Sequence, residues 1–62
     1  MRIVSDANDN YITYENVDKI IESNEGLQLS GSYIEITVDG SIIAKTPHVL
    51  IDKDIVTGIS AC

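Results

Sequence analysis

The sequence predicts a small, mainly β domain, and three observations carry that expectation. Apolar and polar residues alternate through Ile34, Glu35, Ile36, Thr37 and Val38. Strand side chains alternate between faces, so a period of two makes one apolar and one polar face. Asp39-Gly40 follows directly. An Asp-Gly pair between such runs suits a type I′ turn, which needs positive φ at both central residues. Short β-rich runs then recur from Leu27 onward, cut by Gly31-Ser32, Asp39-Gly40, Pro47 and Asp52-Lys53-Asp54. The expected architecture is one small α+β domain over 1–62. It has a four- to five-stranded, largely antiparallel sheet and one short helix at 16–24.

Each element has its own signal. Residues 2–5 read as a first strand, with Ile3 and Val4 its apolar content. Residues 6–10 form an Asn/Asp turn cluster, because these residues tolerate the left-handed region and bond their own backbone. Residues 11–14 return as a second strand rich in β-formers. Residues 16–24 fit two patterns. Val17, Ile20, Ile21 and Asn24 have helical spacing, Asn16 could cap the start, and Gly26 could take the position after the end. Val17, Lys19 and Ile21 fit a strand equally. The helix is the reading carried forward, with the strand as its alternative. Residues 27–30 are a short alternating strand, and the Asp39-Gly40 hairpin joins 33–38 to 41–46. Pro47 marks an edge or a corner. The expected core is Ile3, Ile12, Val17, Ile20, Leu27, Leu29, Ile34, Ile36, Val38, Ile42, Val49, Ile51 and Ile55, with one of Tyr11 and Tyr14 joining it.

Size and charge narrow the function classes. A chain of 62 residues buries only about 60% of its unfolded surface, so a domain this small often needs a staple. One Cys and one His supply neither an internal disulfide nor a structural zinc site. Oligomerisation or docking on a partner is the remaining staple, and a homo-oligomer or a partner-bound state is expected. The net charge is −6, with Arg2, Lys19, Lys45 and Lys53 scattered. Phosphate backbones and anionic lipid surfaces call for clustered bases, so neither nucleic acid nor a membrane is an expected partner. An acidic field suits a basic protein surface. No secretory or membrane-spanning apolar run is visible, and a cytoplasmic location is expected.

The candidate motifs for chemistry are weak. Asp6, Asn8 and Asn10 copy the first ligands of a calcium loop, but Tyr11 stands where the loop needs Gly and Val17 where it needs Glu. Asp52 and Asp54 are two carboxylates on a turn, His48 has no companion ligand, and Cys62 has no activating neighbour. No catalytic residue, metal or cofactor is expected. Partner-binding candidates are the acids Asp18, Glu22 and Glu25, which a helix would set on one side, and the aromatics Tyr14 and Tyr33.

Two resemblances add to this reading. The opening Met1-Arg2-Ile3-Val4-Ser5-Asp6, with Tyr14-Glu15-Asn16-Val17, resembles small proteins encoded by phages and prophages of Gram-positive bacteria. The stretches 34–42, Thr46-Pro47-His48-Val49, Ile51-Asp52 and Val56-Thr57-Gly58 are similar to rung repeats of phage tail-spike and membrane-puncturing β-helices. That second likeness implies an intertwined trimeric β-helix in the C-terminal half and a place in the virion. The expected function is a small acidic, non-enzymatic interaction protein, phage or prophage encoded, that binds and inhibits a host or defence protein. The alternative is a structural subunit of a phage particle.

Overall fold

The structure, a computed structural model, describes residues 1–7 and 10–60. It holds six strands: β1 (Arg2–Ala7), β2 (Asn10–Glu15), β3 (Lys19–Ser23), β4 (Gly26–Val38), β5 (Ser41–Ile51) and β6 (Val56–Ser60), with a 3₁₀ turn at Lys53–Ile55. All pairings are antiparallel. The sheet order is β3-β4-β2-β1-β6, and β5 pairs with β4. The mainly β expectation holds, with six strands rather than four or five.

The helix at 16–24 does not form. Lys19–Ser23 is a strand whose Ile20 lies opposite Leu29 and whose Glu22 lies opposite Leu27. Helical propensity is a weak prior, and a segment of about three turns depends on tertiary packing. Here the backbone of β4 offers a full ladder instead. Nor does the C-terminal half wind as rungs. Asp39 and Gly40 have φ of 50° and 89°, the paired positive values of the expected turn. The chain therefore reverses where a rung would advance, and β5 runs back along β4 from Val38↔Ser41 to Leu27↔Ile51.

β4 organises the molecule. Thirteen residues in a straight strand would span roughly 40 Å, yet the longest dimension of the fold is 25 Å. The strand must bend, and it does so at 31–33. β3 pairs with its first half and β2 with its second, on the same side. On the other side, Ser30↔His48 and Ile34↔Thr46 leave three β4 residues facing Pro47 alone. The surplus residues force the curl. Gly31 is required at this corner, because a Cβ there would sit 2.6 Å from the Asn16 carbonyl oxygen. Ser32 N donates to the Asp18 carboxylate at 3.3 Å, and Asp18 N donates to the Ser30 carbonyl at 2.9 Å. These bonds satisfy polar groups that the bend takes out of the ladder.

The curl wraps a core of Ile3, Tyr14, Val17, Leu27, Leu29, Ile34 and Ile51, with Ile12, Ile20, Ile36, Val49 and Val56 packed against it. Val17 is held there by exchanging backbone hydrogen bonds with Met1, 2.6 and 3.1 Å long. Tyr14 takes the core position and Tyr11 stays outside. Ile42 is a correction: it is 56% exposed, because it lies opposite Thr37 on the outward face. Val38 and Ile55 are only half-buried. The accessible surface is 4004 Å², close to the roughly 4,000 Å² expected for a monomeric protein of this mass. A single chain therefore closes its own core.

Candidate interaction surfaces

The register gathers carboxylates at one end of the sheet. Glu22 lies near the end of β3 and Glu25 in the β3–β4 turn. Leu27↔Ile51 then brings the following Asp52 beside that turn: a Cβ on Gly26 would sit 3.5 Å from the Asp52 Cα. Asp52 Oδ1 accepts from Asp54 N at 2.9 Å and so caps the 3₁₀ turn. Glu22, Glu25, Asp52 and Asp54 are all exposed, with Lys53 the cation among them. This acidic end is built from two segments that lie far apart in sequence.

The expected site residues divide. Glu22 and Glu25 belong to the acidic end. Asp18 does not share a face with them, because the helix that would have aligned the three is absent. It sits at the opposite end of β3, and its carboxylate is engaged by Ser32 N. Tyr14 is 6% exposed and is a core residue, so it leaves the contact surface. Tyr33 is exposed on the outward face of β4 with the Lys45 ammonium 5.8 Å from its ring centroid. Asp52, joined to this end by long-range pairing, had no local signal in the sequence.

The outward face carries a row of four charges. Register places Glu15 directly opposite Glu35, an arrangement that like charges disfavour. Arg2 and Lys45 flank the pair, with Arg2 Nε 3.7 Å from Glu15 and Lys45 Nζ 3.8 Å from Glu35. These pairs are largely exposed and contribute about 0–1 kcal/mol each. Their use is to neutralise a repulsive contact. A shallow depression beside Met1, Arg2, Glu15 and Asn16 encloses about 260 Å³. Among the described residues no group of three acids, His or Cys is placed to hold a metal ion. The second residue of the calcium-like string, Asn8, and the thiol of Cys62 lie outside the described residues.

β5 forms the second notable surface. It pairs with β4 only, so its other edge has no strand partner among the described residues. At His48 that edge is covered within the chain: the Thr46 hydroxyl donates to the His48 carbonyl at 2.9 Å and accepts from His48 N at 3.5 Å, bonds that a partner strand would have to replace. Ile42, Ile43 and Leu50 on it are all more than half exposed. No helix among the described residues is long and apolar enough to cross a membrane. Comparison with protein-family models, with curated proteins and with solved structures finds no match to this chain.

Proposed function

We propose that this chain is a small, non-enzymatic protein-binding domain that engages a basic protein surface through its acidic end. The observation that carries this reading is that Glu22, Glu25 and Asp52 meet at one end of the sheet, with Asp54 bonded to Asp52 in the adjoining 3₁₀ turn. Like charges brought together in a compact fold steer an oppositely charged partner and raise the association rate. A phage- or prophage-encoded inhibitor of a host or defence protein is the biological setting that the N-terminal resemblance favours. In that setting the domain occupies a basic groove in the host cytoplasm.

Charge reversal tests the reading. Glu22→Lys, Glu25→Lys and Asp54→Lys are exposed changes, so the combined variant should keep the wild-type circular dichroism spectrum and a melting temperature within a few degrees. It should lose a basic protein that the wild type captures from host lysate. That capture should weaken steadily with added salt. Equal capture by both proteins, or capture indifferent to salt, contradicts the reading.

A further inference from the structure

We infer that β5 is an interface for a second copy of this chain, paired antiparallel with itself about Thr46. The surface is separate from the acidic end and would serve whichever partner that end binds. Its basis is that the strand is its own complement. Pairing with β4 fixes which face each residue takes. On the outward face, Lys45 and Ile42 lie to one side of Thr46, opposite Glu35 and Thr37. His48 and Leu50 lie to the other, opposite Ser30 and Gln28. On the core-facing side, Ala44 and Ser41 lie to one side of Thr46, and Val49 and Ile51 to the other. Each half also holds one residue skipped by the ladder, Ile43 in the first and Pro47 in the second.

A two-fold axis through Thr46 and normal to the sheet matches these halves. Lys45 comes across from His48 of the second copy, Ala44 from its Val49, and Ile42 from its Leu50. Every pair shares a face, as antiparallel partners must. Ile42 and Leu50, 56% and 51% exposed in the single chain, gain apolar cross-strand partners. The same patch is used by both copies, which is the isologous arrangement of a closed dimer. The bend beside Pro47 lies next to the axis, so both copies curve the same way and the joined sheet stays continuous.

Charge and the other edges favour the same occupant. In a chain of net charge −6, the eleven residues of β5 contain no carboxylate. Two copies therefore meet where their mutual repulsion is least. Lys45, which would otherwise guard the edge, is held back over Tyr33 and Glu35. The β3 edge, by contrast, carries Glu22 on its core-facing side, a placement that discourages strand addition. β6 offers five residues among those described.

Sedimentation equilibrium from micromolar to millimolar concentration tests the pairing, with circular dichroism confirming that each variant is folded. The wild type should show a monomer–dimer equilibrium. Ile42→Lys and Leu50→Lys should each weaken it by roughly tenfold or more, a loss of about 1.4 kcal/mol. Ile59→Lys, an equally exposed change on β6, should leave it intact. In a Cys62→Ser background, Thr46→Cys should oxidise to a covalent dimer, because directly opposed antiparallel residues have Cα atoms about 4.5–5.5 Å apart. A monomer at all concentrations, a dimer that survives both lysine changes, or a dimer in which Thr46→Cys does not cross-link would overturn the proposal. Ile42→Lys and Thr46→Cys lie toward the other end of β5 from Asp52, so their failure is read apart from the charge-reversal result.

Discussion

Ser5 Oγ is fully buried between strands and has no hydrogen-bond partner among the described residues. A buried hydroxyl without a partner costs about 1–3 kcal/mol of desolvation. Ser5→Ala removes that group with little change in volume. It should stabilise the fold by about 1 kcal/mol and raise the melting temperature by roughly 4–8 °C. A lower melting temperature would mean that the hydroxyl has a partner after all. Gly31 makes the opposite case. Its missing Cβ is what lets β4 bend against Asn16 and Asp18. Gly31→Ala forces backbone apart and should cost about 1–3 kcal/mol. Gly58, where a Cβ meets nothing within 4 Å, should accept Ala with no loss. Equal chemical denaturation midpoints for the two alanine variants would contradict the bend described here.

The β4–β5 hairpin was legible in the sequence because its signals are local. Alternation over 34–38 assigned the faces, and Asp39-Gly40 supplied the only turn chemistry that matches the twist of the strands. Asp39 also reaches outside the hairpin, accepting from Tyr11 N at 3.0 Å through Oδ1. A space-filling account would let Gly40→Val pass, since its Cβ would be unobstructed. At φ of 89° it should still cost about 1–2 kcal/mol, the ordinary penalty for an L-residue in the left-handed region. Wild-type stability for that variant would overturn the turn assignment. β3 was not legible, because Val17, Ile20 and Ile21 satisfy a helix and a strand equally. What decides between them is the β4 backbone beside Lys19–Ser23, a contact that no local pattern announces. Ile42 was misplaced for a related reason. The two-residue turn sets Ser41 opposite Val38 and so Ile42 opposite the outward Thr37, a consequence of hairpin register that the apolar character of Ile42 hides.

At the scale of the whole molecule, the acids read as a helix face resolve into a sheet end assembled from two distant segments. Glu22 and Glu25 were visible as members of an acidic set. Asp52 joined them only through the Leu27↔Ile51 pairing. The apolar symmetry of β5 about Thr46 was present in the sequence, but that β5 would have no second strand partner among the described residues followed from the topology. On the proposed β5 pairing, the core is already formed within one chain, and association adds only the β5 edge. Because only the folded chain can dimerise, the melting temperature should rise with protein concentration, while local protection should change at β5. The most direct measurement is an isotope-filtered nuclear Overhauser experiment on a mixture of labelled and unlabelled protein at millimolar concentration. Cross-peaks between Ile42 of one chain and Leu50 of the other, vanishing in Leu50→Lys, are the predicted result. Intermolecular cross-peaks confined to β3 or β6, or none at all, would contradict it.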